Sequence, residues 1–367
     1  MAYKLDQTFQ DREIVVLGAG IIGCAITRTL LQKGFKVTTV AKHLPGDTDI
    51  WYASNWAGAL WHGGRSLPND DQRYMQAVSY RQFMSDARTD PKCGVCVIGV
   101  EEFFEKRPDT LEQLWYSGVN PKFRDMDKCK YEDKQFEYGC EYETVSIEPP
   151  RYLHFLKNEI QKLGGNFIRK EIKSVDELYI DFPNTIIFIN ASGVGPKYIE
   201  GLYDENSFPN RGQNVLVKTK TDKAFSRNGN EYTYVIPRPL QGVVVCGGVN
   251  QENQTHSNID KAIVEDELRR ANKLAPDVVS EDPDIAGYIV GIRPARKGGF
   301  RLEKEKVKEN KFILHAYGFN GGGYSFSYGA AQVLERMVED LEQEFCVNPR
   351  LLEVKTAYLD KRSPVRL

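Results

Sequence analysis

Apolar positions fall into two patterns along this chain, short unbroken runs and stripes at helical spacing, and their order predicts the architecture. The first run, Ile14-Val15-Val16-Leu17, is rich in β-branched residues and ends in Gly18-Ala19-Gly20-Ile21-Ile22-Gly23. A helix-compatible segment with Ile26, Leu30 and Leu31 follows, Gly34 stops it, and Phe35 to Ala41 reads as a second strand. Helices are expected over 70–87 and, after a break at Pro149-Pro150, over 152–163. Asn166 to Arg169 begins a strand, and the unbroken run Thr185 to Asn190 reads as a strand buried on both faces. Another strand is placed at 215–218, opened by Phe208 to Gln213, then a mobile polar loop over 219–230 and a hairpin from the runs 232–237 and 242–248. A helix over 259–273, capped by Ser257 or Asn258, precedes a strand at 312–317 and a helix over 325–341. The class is mixed α/β, with a second, sheet-containing domain inserted into a nucleotide-binding unit.

The glycines at the end of the first run give that unit its chemistry. Gly18 permits the turn, Gly20 removes a side chain that would block a pyrophosphate, and Gly23 lets helix and strand pack closely. The helix start then offers free N–H groups to phosphate oxygens. A ligand-free glycine turn in an ordinary α/β unit has the same pattern, so the surroundings must decide. One part of the pattern is missing: an acid usually ends the second strand and holds a ribose, whereas this chain has Lys42 and His43, and Asp47 and Asp49 come too late.

Three further glycine segments point the same way. Ser54 to Gly64 sets small residues beside Trp56 and Trp61, as a backbone close to a large flat group requires, although a glycine-rich core loop has the same composition. The turn Asn190-Ala191-Ser192-Gly193 lies beyond a strand end, where an open sheet places its ligand. The loop Gly318 to Gly323 precedes a helix whose N-terminus can stabilise negative charge on a cofactor ring.

Composition narrows the classes. Of 367 residues, 49 are basic and 51 acidic, a net charge of −2, so no global field recruits nucleic acid or an anionic membrane. No stretch reaches the roughly 18 apolar residues of a membrane span, and Met1 to Arg12 lacks the apolar run of a signal peptide. Seven cysteines, with Cys93 and Cys96 lacking a second pair, and five scattered histidines provide no metal site.

Eight ordered motifs carry a resemblance: Val16 to Gly23, Trp56-Ala57-Gly58-Ala59, Asn190-Ala191-Ser192-Gly193, Arg211-Gly212-Gln213, Tyr234-Val235-Ile236-Pro237-Arg238-Pro239, Cys246-Gly247-Gly248, Gly291-Ile292-Arg293-Pro294-Ala295-Arg296 and His315-Ala316-Tyr317-Gly318. Through them the chain resembles the D-amino acid oxidase family of flavoproteins, especially fungal members, and the resemblance is weakest between Pro91 and Glu148. It implies non-covalent FAD in a Rossmann-like domain (1–90, 150–205 and 290–345) interleaved with a mostly antiparallel substrate domain (91–149 and 206–289), followed by a tail (346–367). On this reading Gly18, Ala19, Gly20, Ile21, Ile22 and Gly23 hold the pyrophosphate. Ala57 and Gly58 approach the flavin, with Ser54 nearby, and Ser192 and Gly193 lie by the adenosine half with Lys42 and His43. Gly318, Asn320, Gly321, Gly322, Gly323 and Tyr324 face the flavin ring.

The same resemblance assigns Arg293 to the substrate carboxylate, with Tyr234 supporting it, in oxidative deamination by hydride transfer from the α-carbon to flavin N5 and reoxidation by O2. A planar guanidinium suits a bidentate carboxylate grip. Asn250 occupies the position that is aromatic in the family's enzymes for neutral substrates and basic in D-aspartate oxidases, while His62, Arg65 and Arg227 are further pocket candidates. Neutral or polar D-amino acids are expected, with D-aspartate as runner-up and a glycine- or sarcosine-type amine oxidase or a catalytically silent nucleotide-binding protein as the other readings. Val365-Arg366-Leu367 is similar to a peroxisomal tripeptide read by an import receptor, with Val365 in place of the usual Ser or Ala, so peroxisome is expected before cytoplasm. A homodimer is left open.

Overall fold

The computed structural model describes residues 13–63, 69–131, 136–308 and 310–347. The first part of the chain forms β1 (Glu13–Leu17), α1 (Ile21–Gln32), β2 (Lys36–Ala41), α2 (Asp70–Thr89), β3 (Val95–Phe104), β4 (Arg124–Asp125) and β5 (Tyr138–Ile147). The middle gives α3 (Pro149–Lys162), β6 (Asn166–Arg169), α4 (Val175–Asp181), β7 (Ile187–Asn190), β8 (Ser207–Lys218), β9 (Lys223–Asn228), β10 (Thr233–Arg238) and β11 (Val243–Gly247). β12 (Gln251–Glu252), α5 (Lys261–Leu274), β13 (Ile285–Arg296), β14 (Arg301–Lys308), β15 (Lys311–Tyr317) and α6 (Gly323–Val347) follow.

These strands form two sheets. The first runs β14-β15-β7-β1-β2-β6 and is parallel except for the β14 edge. β1 explains why its run is unbroken: Ile14 and Val16 enter the core under α1, α3 and α6, whereas Val15 and Leu17 pack with Val175, Leu178 and Phe188 on the α4 side. Both faces are buried, so alternation vanishes. β2 and β7 flank β1 on opposite sides, which makes the carboxyl end of β1 a switch point where such sheets bind ligands.

The second sheet runs β12-β8-β11-β10-β9-β3-β5-β4, with β13 also paired to β8. Only β3 with β9 is parallel. Val215, Val217, Val235 and Val244 pack against α5 on one face. β13 is stitched to both halves of the molecule. It pairs antiparallel with β8 throughout, Ile292 N donates to Ile50 O at 2.9 Å, and Ala295 bridges to Phe319.

The mixed α/β expectation holds, and several local expectations need correction. The stretch 219–230 is not a mobile loop, because Lys223–Asn228 forms β9, held between β10 and β3. Pro149 and Pro150 do not break the chain but occupy the first turn of α3, where a missing N–H costs nothing. α5 begins at Lys261, because Asp260 accepts from the Ala262 and Ile263 N–H groups, the role expected of Ser257 or Asn258. α6 extends over Gly323–Val347 rather than 325–341. Residues 290–296, expected in the nucleotide domain, belong to β13 and so to the second sheet.

Candidate active site

A cavity of about 810 Å³ is walled by both sheets, within the roughly 300–1,000 Å³ of ligand sites. Gly18, Ala19, Gly20, Ile21 and Ile22 line it at the carboxyl end of β1. Gly18 has φ +111°, and a Cβ there would lie 2.3 Å from Ala191 O. At Gly20 a Cβ would meet Ser54 Oγ at 2.8 Å, the atom that accepts from Ile21 N at 2.9 Å. Gly23 is outside the wall, and its role is packing: a Cβ would fall 1.9 Å from Gly18 O. The loop after β7 continues the wall through Ser192 and Gly193.

Farther along, Ser54, Ala57, Gly58, Gly318, Asn320, Gly321, Gly323 and Tyr324 line the cavity, while Gly322 does not. Arg238 on β10 donates to Ala57 O at 2.8 Å and Gly58 O at 2.9 Å. Burial pulls its pKa down to about 10, with Glu148 opposing the shift. Tyr324 Oη donates to Ser54 O at 2.9 Å, tying the start of α6 to the same loop.

The second sheet supplies Arg293, Tyr234 and Asn214 to the wall. Arg293 Nη1 donates to Val249 O at 2.9 Å and Asn250 Oδ1 at 3.2 Å. Its guanidinium lies over Gly212 of the paired strand, where a Cβ would stand 2.5 Å from Cζ. The alternation of Arg211-Gly212-Gln213 follows from this: Gly212 leaves room on one face, and its neighbours turn away. Arg211, fully buried, donates to His256 O at 2.8 Å and also to Asn258 O, and Gln213 Nε2 donates to Asp260 O at 2.9 Å. Arg211 also donates to Gln251 Oε1, next to Asn250. Tyr234 Oη donates to Asn214 Oδ1 at 2.6 Å. Burial pushes its phenol pKa up, and the adjacent Arg293 guanidinium works against the rise.

Most of the predicted residues therefore share one wall, Lys42, His43, His62 and Asn250 included. Arg227 does not join them: it pairs with Glu105 at 2.7 Å and Glu231 at 2.8 Å and faces away from the cavity. Arg65 lies outside the described residues. Sequence reasoning missed Glu171, Trp51, Tyr198, Tyr232 and Asn214, all of which line the cavity. None of these carries a motif, since the fold alone brings them there. Among the described lining residues Glu171 is the only carboxylate, and no cluster suited to a metal occurs among the described residues.

The family profile described as DAO, FAD dependent oxidoreductase, matches residues 13–337. This chain belongs to that family. The D-amino-acid oxidase of Schizosaccharomyces pombe is 32% identical over 335 residues, covering 88% of this DAO-family chain and 94% of the yeast protein. The D-aspartate oxidase of Talaromyces thermophilus is 28% identical, covering 89% and 94%. Glycine oxidase from Geobacillus kaustophilus shares the fold, with a TM-score of 0.70 at 16% identity over 90% of this chain and 95% of its own. The cofactor of a DAO-family protein is FAD, and the cavity fits it: a cradle that excludes Cβ atoms meets the N-terminus of α1 where a pyrophosphate needs both.

Proposed function

We propose that this chain deaminates D-amino acids oxidatively, taking substrate, water and O2 to a 2-oxo acid, ammonia and hydrogen peroxide. One observation carries the reading: Arg293 and Tyr234 stand together in the cavity that the glycine loops also line, with Glu171, beyond the end of β6, as the only carboxylate of the described lining. Arg293 offers a fixed cationic fork to the substrate carboxylate, and the Tyr234 hydroxyl can turn from Asn214 to the same group. Both sit on paired strands, so the α-carbon is held by rigid elements. Bound FAD supplies the two-electron acceptance and passes the electrons on to O2. The α-hydrogen can leave as hydride only with help from the nitrogen lone pair, so the substrate amine must be neutral when it reacts. The D-configuration is supported by the activity of the fungal relatives.

Neutral and polar side chains suit the cavity best. Besides Arg293, the lining lysines Lys42, Lys170 and Lys173 cluster at the end of β2 and β6, and Arg227 is paired elsewhere. D-Aspartate is the second reading, favoured by His62 and Asn250 in the wall and by the Talaromyces relative. Purified yellow protein should bleach anaerobically with D-alanine but not with L-alanine or sarcosine. Bleaching by D-aspartate alone selects the second reading, and bleaching by sarcosine or glycine alone overturns both. We also propose that Val365-Arg366-Leu367, outside the described residues, is read by a peroxisomal import receptor. Removing the tripeptide should then leave a fluorescent fusion in the cytoplasm.

A further inference from the structure

The end of β2 is where a dinucleotide-binding fold normally places the acid that hydrogen-bonds the adenosine ribose. Lys42 and His43 stand there instead, and both line the cavity. Asp47 and Asp49 do not replace the acid. Arg169 grips Asp47, donating to Oδ1 at 3.0 Å and Oδ2 at 2.5 Å, and Leu44 N donates to it at 3.0 Å. Asp49 accepts from Trp51 N at 2.8 Å, and neither aspartate reaches the wall.

The neighbouring strand supplies the missing group. β6 runs parallel to β2 with Ala41 opposite Arg169, and Lys170 N donates to Ala41 O at 3.0 Å. Glu171 follows at the same level of the sheet. Lys42 Nζ donates to Glu171 Oε1 at 2.8 Å, and Oε2 has no protein partner among the described residues. As the only carboxylate of the described lining, Glu171 is the one anionic acceptor this cavity offers to a pair of hydroxyls. Trp51 and Tyr198, edge to face with centroids 6.0 Å apart, line the same end and provide aromatic surface for a base.

We infer that Glu171 accepts hydrogen bonds from the vicinal hydroxyls of the FAD adenosine ribose, with Lys42 holding its carboxylate in place. The acid of the fold has moved one strand over, and the lysine in its old position has become its support. This inference rests on the family's cofactor and is independent of which amino acid is oxidised. Lys42 is a positioning residue, because its ammonium engages the carboxylate and not the sugar.

The test is FAD titration of the full-length protein after removal of its cofactor, followed by flavin fluorescence, with FMN as the control that lacks adenosine. Glu171→Gln should weaken FAD about tenfold, the scale of a lost hydrogen bond to a charged acceptor, and leave FMN affinity unchanged. Lys42→Met should weaken FAD less, Lys42→Arg should restore it, and Glu171→Gln with Lys42→Met should be no weaker than Glu171→Gln alone. An FAD affinity within about twofold of the parent in Glu171→Gln overturns the inference, as does an equal loss for FAD and FMN. Selective loss of FAD in His43→Ala with Glu171→Gln unaffected also overturns it, moving the ribose contact to His43. A parent protein that takes up no FAD removes the cofactor itself, a result distinct from parent-like FAD binding without D-amino acid oxidation.

Discussion

The two ends of the cavity are built on opposite principles. At the end of β1 the wall is backbone, and its glycines matter for what they lack: Gly18 and Gly20, with Gly23 packed behind them, each leave a space already claimed by Ala191 O, Ser54 Oγ or Gly18 O. On the second sheet the wall is side chain, and Arg293 and Tyr234 matter for what they present. A site made of absence fails when atoms are added, whereas a site made of presence fails when atoms are removed. Gly212 crosses the two categories, being an absence that serves the side-chain end.

The largest effect should come from an addition at the backbone end. Gly23→Val places carbon against Gly18 O, where a Cβ has only 1.9 Å, so helix and strand must separate. The variant should be isolated without FAD and should melt well below the parent by circular dichroism. Next comes a deletion at the other end. Arg293→Leu should raise the substrate KM by about 100-fold or more while FAD stays bound, and steady-state kinetics on yellow protein measures both. An unchanged KM would place the carboxylate elsewhere.

Gly212→Ala tests the crossover. Its methyl must displace the guanidinium, so KM should rise about tenfold, with kcat and FAD content much less affected. Loss of FAD instead would mean that the two ends are not separable. The smallest effect concerns support behind the second sheet. Glu267 on α5 is fully buried, and neither carboxyl oxygen has a hydrogen-bond partner among the described residues. Burial pushes its pKa up to about 8, with Arg270 opposing. The folded chain therefore keeps a proton that the unfolded chain releases above about 4.5, so this group costs stability as pH rises from about 4.5 to 8. Glu267→Leu should gain more in Tm over the parent at pH 8 than at pH 5, with little change in KM. An equal gain at both would show that Glu267 does not titrate in this range.

The comparison also explains what could be read from the sequence. Backbone sites need glycine at fixed spacing, and the turns at Gly18 to Gly23 and at Ser192-Gly193 were legible for that reason. Arg293 and Tyr234 are anonymous as an arginine and a tyrosine, and only their place in ordered motifs drew attention to them. Glu171 could not be found, because its role depends on β6 lying beside β2, a pairing between residues far apart in the chain. Arg227 misled for the same reason: a cation in a polar stretch looks available until β9 pairs beside β3 and brings Glu105 against it. Polarity concealed that strand as well. Burial patterns identify elements well when both faces are apolar, and poorly when a strand carries ion pairs.

β13 has a consequence for how such an enzyme can change its diet. Its backbone is bonded to β8 along its length, to Ile50 and to Phe319, so Arg293 is carried on a bar fixed at several points. The span from Arg293 to the glycine-lined face is thus a gauge length set by main-chain bonds. Residues around it, such as Asn250, Tyr232 and His62, can be exchanged without altering that gauge. Substrate preference and reaction distance are then separate dials, and drift in the first leaves the second in calibration.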